Sequence, residues 1–312
     1  MVVSRESRSF QDDLFSNFPQ YLRPGDCLVL NNTRVFPARL RGHRNTSSGA
    51  EIELLLLRAL DPQETRWLVL ARPGKRVRKG DKLLFGLGLE ATVEEQGEYG
   101  ERTVRFQADE AVRVILDKIG QIPLPPYIHR SPDLKDRERY QTVFSEKQGS
   151  AAAPTAGLHF TPEILARCSG TGASIAYVTL HVGLGTFAPL REQEISRIEL
   201  HEEYFEVPAE SAEIMRNAAR LVCVGTTSVR TLETAMLRGG LQPVSGQTNL
   251  FIHPGFHFRA TGAMLTNFHL PQSSLLMLVA AFGGKDLVMA AYNHAVREQY
   301  RFFSYGDCML VL

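Results

Sequence analysis

The apolar positions of this chain change period twice along its length. Phe10, Leu14, Phe15, Phe18 and Leu22 share one face of a helix over residues 10–22, and Arg23-Pro24-Gly25 closes it with a turn. Residues 27–30 read as a buried strand ending in Asn31-Asn32-Thr33-Arg34. From 39 to 107 the helical period disappears. Runs rich in β-formers recur at 52–57, 67–70, 82–85, 89–94 and 103–106, separated by turn-like clusters. That spacing predicts a small barrel or sandwich. Residues 109–119 return to a helical pattern, and the proline-rich run at 122–127 excludes regular structure. From 161 onward helix and strand patterns alternate. Thr161 is the N-cap of a helix with Pro162 at its first position. A strand follows at 173–180, a helix at 208–220, a strand at 221–224 and a helix from near Ser228. A buried helix over 275–282, a helix over 286–299 and a strand over 309–312 complete the pattern. The expected fold is α/β: a layered domain with a mixed sheet over 1–38 and 108–312, carrying an inserted small all-β domain over 39–107.

Composition narrows the function. The 312 residues are 44% hydrophobic and 22% charged, an ordinary globular balance, and the net charge of +1 supplies no global field toward a polyanion. Any nucleic acid must be held by a local patch. The four cysteines form no C-x-x-C pair and sit in or beside apolar stretches, as reduced core residues of a cytoplasmic protein do. The nine histidines show no metal-ligand spacing, so no metal is expected. Residues 1–20 carry both signs of charge and do not read as a secretory signal, and the apolar run at 275–282 is too short to span a bilayer.

Four runs break apolar stretches with Gly or Pro beside polar side chains. They are Ala-Pro-Thr-Ala-Gly-Leu-His-Phe at 153–160, Leu-His-Val-Gly-Leu-Gly-Thr-Phe at 180–187, Gly-Thr-Thr-Ser-Val-Arg-Thr-Leu-Glu at 225–233 and Leu-Thr-Asn-Phe-His-Leu-Pro at 265–271. Polar groups are costly to bury without partners, and loops at the ends of rigid elements are where binding and catalysis gather. Gly225 with Thr226, Thr227, Ser228 and Arg230 forms a strand-turn-helix corner suited to a carboxylate or phosphate. The plainer alternative is an N-cap with a surface ion pair between Arg230 and Glu233. His159, His181 and His269 are candidate proton carriers, because imidazole titrates near neutrality, against the alternative of satisfied core histidines. Thr155 joins them by position. The sequence has no P-loop, no complete dinucleotide fingerprint and no G-x-S-x-G elbow. Arg72, Lys75, Arg76, Arg78 and Lys79, with Lys82, crowd one stretch of the all-β region. This suits phosphate contacts on RNA or DNA, or a solvated hairpin.

Taken with Arg-Pro-Gly-Asp at 23–26, Leu-Asn-Asn-Thr-Arg-Val at 30–35, Arg-Pro-Gly-Lys-Arg at 72–76, Leu-Pro-Pro-Tyr-Ile at 124–128 and Tyr-Arg-Phe-Phe-Ser-Tyr-Gly-Asp at 300–307, these runs are similar to one family. It is the S-adenosylmethionine:tRNA ribosyltransferase-isomerases of queuosine biosynthesis, and the likeness covers nearly the whole chain. The resemblance implies an α/β domain with an inserted Greek-key barrel. It implies S-adenosylmethionine as a co-substrate that donates its ribosyl group, and a tRNA bearing 7-aminomethyl-7-deazaguanine at the wobble position as acceptor. The products are epoxyqueuosine in tRNA, adenine and methionine. The enzyme is expected to be monomeric and free of any membrane.

On this resemblance His159, His181, His269 and Thr155 are the catalytic candidates. Asn32, Arg34, Gly183, Gly185, Thr186, Thr226, Thr227, Ser228, Arg230 and Asn267 are expected to bind S-adenosylmethionine. Arg72, Lys75, Arg76, Arg78 and Lys79 are expected on tRNA phosphates, and Phe160, Phe187 or Phe268 beneath the target base. The family also carries a further N-terminal segment, part of which this chain is expected to lack. Gln247-Thr-Asn249 and Glu202 depart from its usual Trp-Thr-Asp and Ser. Two other classes compete: an RNA-binding protein that has lost catalysis, and an S-adenosylmethionine-dependent RNA methyltransferase. The missing glycine-rich fingerprint speaks against the second.

Overall fold

The structure, a computed structural model, describes residues 1–46, 49–97, 100–125, 128, 130, 135–183, 198 and 200–312. The chain divides into two compact units. One comprises residues 1–33, 141–147 and 153–312, the other 34–140 and 148–152.

The larger unit is built on a nine-stranded mixed sheet. Its strands in chain order are β1 (Val2–Ser4), β2 (Ser9–Gln11), β3 (Asp26–Asn31), β12 (Ser174–Leu180), β13 (Glu203–Val207), β14 (Arg220–Val224), β15 (Val244–Thr248), β16 (Thr261–Asn267) and β17 (Cys308–Val311). In space the order is β15-β13-β12-β3-β14-β16-β17-β1-β2. The four central strands β12, β3, β14 and β16 run parallel. β3 is buried along its whole length, as an apolar strand covered on both faces must be. Its side chains alternate between two cores. Cys27 and Val29 join Cys223, Met264 and Val178 on one face, packed under α4 (Ala209–Arg216), α5 (Gly225–Leu237), α6 (Ser274–Gly283) and α7 (Lys285–Arg297). Leu28 and Leu30 join Val222, Val224 and Leu265 on the other, with Phe18, Phe160 and Cys168 of α3 (Pro162–Gly170). Thr161 caps α3 as expected, its side chain accepting from the Ile164 N–H.

The predicted helix over 10–22 is not formed. Residues 9–11 pair with β1, and Phe15–Tyr21 wind as a 3₁₀ helix containing Pro19. Proline has no N–H to continue an α-helical ladder. The Asp13 carboxylate accepts instead from the Leu14 N–H, Asn17 and Tyr21, and fixes the tighter turn. The apolar face survives: Phe18 and Leu22 still enter the core.

The smaller unit carries a closed six-stranded barrel. Its strands are β5 (Arg39–Arg44), β6 (Glu51–Ala59), β7 (Arg66–Arg72), β8 (Lys82–Leu84), β9 (Glu90–Gln96) and β10 (Glu101–Gln107), in the order β10-β7-β6-β5-β8-β9. All its pairings are antiparallel. Alternation along β7 puts Trp67, Val69 and Ala71 inside and leaves their neighbours outward. The helix α1 (Val112–Ile119), the short α2 (Asp136–Arg139) and the paired strands β4 (Thr33–Val35) and β11 (Lys147–Ser150) complete the elements.

Candidate active site

In parallel α/β sheets, ligands settle beyond the carboxyl ends of the strands, where the winding direction reverses. Here the reversal lies at β3, flanked by β12 on one side and β14 on the other. The polar runs singled out in the sequence leave from that edge. His181 follows β12, Asn32 and Thr33 follow β3, Gly225 opens α5 directly after β14, and Asn267 ends β16. The run at 153–160 forms a 3₁₀ turn, Thr155–His159, across the same edge. Its Ala156 Cβ would stand 3.7 Å from a Cβ placed on Gly225. Gly225 has φ +84°, a conformation that favours glycine, and it turns the strand into the helix.

Helix α5 is buried from Gly225 to Ala235 despite its many polar residues. Almost every one has found a partner. Ser228 and Thr231 bond back to the carbonyls of Val224 and Thr227. Thr234 bonds to Thr248. Glu233 accepts from the N–H groups of Arg259, Ala260 and Thr261 and from the Thr261 hydroxyl, so it is not paired with Arg230. Arg230, 4% exposed, instead pairs with Glu203 of β13 and donates Nε to the Leu250 carbonyl. Two buried atoms on this helix are left over: among the described residues Thr227 Oγ1 and Arg230 Nη2 have no hydrogen-bond partner. They lie three residues apart, on one face, beside a helix start that no side chain caps.

The three histidines separate. His159 Nε2 stands 3.1 Å from Asn267 Oδ1. The Asn267 amide nitrogen donates to the carbonyls of Phe303 and Ser304, which turns Oδ1 toward the ring. The network therefore assigns the proton of the neutral ring to Nε2 and leaves Nδ1 as the basic atom. Burial holds the His159 pKa below its ordinary value, and the Asn267 bond offsets part of that. His181 stacks on Tyr204 and shares a 2.7 Å hydrogen bond between Nδ1 and Thr33 Oγ1. His269 has an enclosed ring, although the residue keeps some exposure, and burial pushes its pKa down to about 4. Its Nε2 is bonded to Thr266 Oγ1. At neutral pH its ring is uncharged.

The remaining candidates are placed as follows. Asn32 is committed to the fold, accepting from Thr179 and donating to Glu146. Gly183 donates its N–H to Glu203 Oε1 at 2.8 Å. Thr226 is buried at the start of α5, and Thr155 is half-buried at the start of the 3₁₀ turn. Arg34 is exposed and belongs to the smaller unit. Gly185, Thr186 and Phe187 lie outside the described residues. Phe160 and Phe268 are core residues with no face open to a base, whereas Phe15 is half-buried with its ring 5.3 Å from His159. In the barrel unit Arg72, Lys75, Arg76, Arg78 and Lys79 are all exposed, and none is ion-paired among the described residues. Sequence reading missed Glu203. Its only signal is its place at the head of the alternating strand Glu-Tyr-Phe-Glu-Val.

An α/β domain with its polar groups gathered at the switch point defines a ligand-binding α/β protein, and the comparisons give the family. The model of the family described as queuosine biosynthesis protein matches residues 1–311. A S-adenosylmethionine:tRNA ribosyltransferase-isomerase of Solibacter usitatus is 53% identical over all of this chain and 92% of its own length. One of Caldanaerobacter subterraneus is 48% identical with the same coverage. The crystal structure of an S-adenosylmethionine tRNA ribosyltransferase from Thermotoga maritima is similar at 39% identity and TM-score 0.55, over 100% of this chain and 91% of that one. This chain belongs to the queuosine biosynthesis protein family.

Proposed function

We propose that this chain transfers and isomerises the ribosyl group of S-adenosylmethionine onto the 7-aminomethyl-7-deazaguanine of a tRNA wobble position, releasing adenine and methionine. Relatives that carry this activity in their names match the full chain. The observation in the fold that supports it is the leftover pair on α5. A buried hydroxyl and a buried guanidinium edge that have no partner among the described residues are what a bound carboxylate would satisfy. The donor's methionine carboxylate is assigned to Thr227, Arg230 and the first-turn N–H groups of α5.

His159 is assigned the role of base. The sulfonium acidifies the adjacent ribose carbon, and a neutral imidazole with a free Nδ1 can take that proton. His181 is assigned to proton donation as adenine leaves. The attacking amine belongs to the RNA, so the protein needs no covalent nucleophile of its own. Asn267 and Thr33 orient the two rings and are positioning residues. The exposed cations at 72–79 are assigned to tRNA phosphates. The chain is taken to act as a cytoplasmic monomer. Among the described residues no single helix is long and apolar enough to cross a membrane.

The test is incubation with S-adenosylmethionine and an anticodon stem-loop RNA bearing the precursor base, followed by assay of the products. Free adenine and methionine formed only when both substrates are present support the transfer. Adenosylhomocysteine would replace it with methyl transfer. Binding without either product would leave an RNA-binding protein.

A further inference from the structure

A buried guanidinium without a carboxylate is costly, because burial removes the water that would solvate the charge. The barrel holds one. Arg102 on β10 is 6% exposed. All of its hydrogen bonds go to main-chain carbonyls: Nε to Val77 at 2.7 Å, Nη2 to Gly74 at 2.6 Å and Nη1 to Glu101 at 2.6 Å. Among the described residues it has no ion-pair partner. Other arginines of the same unit behave differently. Arg39, Arg44, Arg66, Arg105 and Arg113 each meet an acid.

Gly74 and Val77 bracket the turn Gly74–Arg76, which carries Lys75 and Arg76 and leads into Arg78 and Lys79. Arg102 draws the two bracketing carbonyls inward. Those dipoles would repel a phosphate if they faced outward. The cationic side chains are left on the outer surface, with Arg102 adding a desolvated positive charge behind them. The neighbouring acid, Asp81, is already engaged by Arg44 and by the Arg78 N–H. The turn is thus held from within by a cation and carries outward cations that are not ion-paired among the described residues.

We propose that Arg102 is the internal strut of a preformed phosphodiester-binding turn, and that the RNA backbone supplies the missing counter-charge. This rests on the reading of residues 72–79 as a tRNA contact. Arg102 touches no phosphate itself. It is a positioning residue whose loss lets the outer cations scatter, so it acts on RNA affinity and not on the chemistry at the α/β unit.

The experiment compares the full-length protein with Arg102→Met, Arg102→Lys and a variant with Lys75, Arg76, Arg78 and Lys79 all changed to Ala. Readouts are binding of labelled tRNA at several salt concentrations, steady-state kinetics and donor affinity. Arg102→Met should raise the KM for tRNA on the order of 10-fold and flatten the salt dependence by about one phosphate contact or more. The kcat at saturating tRNA and the affinity for S-adenosylmethionine should stay at the parent values. Arg102→Lys keeps the charge but cannot span both carbonyls, and should fall between. If the Met variant does not fold, the Lys variant carries the test. If the four-alanine variant binds tRNA like the parent, the turn is not an RNA contact and the inference falls with that reading. If that variant is weakened while folded Arg102 variants keep the parent's KM and salt slope, the reading stands and the strut alone is overturned.

Discussion

Glu203 divides its carboxylate between two parts of the site: one oxygen meets the Arg230 guanidinium, the other the N–H of Gly183. Arg230 is held on one edge and open at Nη2 on the other. The pair therefore aims a guanidinium edge instead of consuming it. Arg230→Ala would strand the Glu203 charge in the interior at a cost of roughly 3–5 kcal/mol, and would confuse folding with binding. Arg230→Lys is the cleaner probe. Lysine can still meet Glu203 but has no second edge to offer. Donor affinity, measured by calorimetry on RNA-free protein, should fall roughly 10- to 100-fold, the worth of one charge-assisted hydrogen bond. An unchanged affinity would place the donor carboxylate elsewhere.

Thr227→Val should move stability and function in opposite directions. The hydroxyl is buried and unpartnered, so a shape-matched methyl removes an unsatisfied group. The free protein should be as stable as the parent or more so, by about 1 kcal/mol in urea titration. Donor affinity should drop. A variant that loses stability would show that the hydroxyl already has a partner in the resting protein.

Gly157 tests how tightly the 3₁₀ turn is seated. A Cβ there would lie 2.8 Å from Thr142 Cγ2 and 2.8 Å from Phe144 Cζ, closer than carbon atoms approach. Gly157→Ala must displace either the Phe144 and Thr142 side chains or the turn that ends in His159. The expected cost is about 1–3 kcal/mol of stability, with a lower kcat beyond what partial unfolding explains. Melting curves and single-turnover rates on the same sample check both.

Much of this architecture is legible in the sequence because burial and period coincide. Strand β3, the alternating strands of the barrel and the Thr161 cap follow from local pattern alone. The segment at 10–22 failed because a 3₁₀ helix and an α-helix share nearly the same apolar spacing, and Pro19 decides between them. The polar runs marked the sheet edge correctly, but pairing across the fold was invisible. Arg230 and Glu233 look like neighbours on one helix face, yet each is taken by a distant segment, Glu203 and residues 259–261. Nor can spacing tell how a histidine ring is held. His159 and His269 both sit among apolar residues and Gly or Pro, and only the folded chain shows that one ring meets Asn267 and the other Thr266.

His269 makes the fold sensitive to acid. Its pKa is near 4 when folded and about 6.5 when exposed. Above 6.5 both states are neutral and the residue contributes no pH dependence. As pH falls from 6.5 toward 4 the unfolded state takes up a proton that the folded state refuses, and stability declines. The loss is roughly 2–3 kcal/mol across that window. His269→Gln should flatten the curve of unfolding free energy against pH by that amount and leave the neutral-pH chemistry nearly intact. A kcat lowered a hundredfold at pH 7.5, with the fold preserved, would restore His269 to the list of proton carriers.

His159 and Asn267 make the sharpest test of the chemistry. A base must be neutral to act, and burial keeps His159 neutral to lower pH than an exposed imidazole. The acid limb of kcat/KM should therefore turn below 6.5. His159→Gln should reduce kcat about 10²- to 10⁴-fold and abolish that limb. Asn267→Ala leaves the ring in place but removes the acceptor that fixes its proton on Nε2 and that favours the charged form. Its expected signature is twofold. The kcat falls, because part of the population carries the proton on Nδ1, and the acid limb moves to still lower pH. A merely structural asparagine would lower activity without moving the limb, so the pH profile of this one variant decides whether Asn267 positions a base or simply anchors the loop at Phe303 and Ser304.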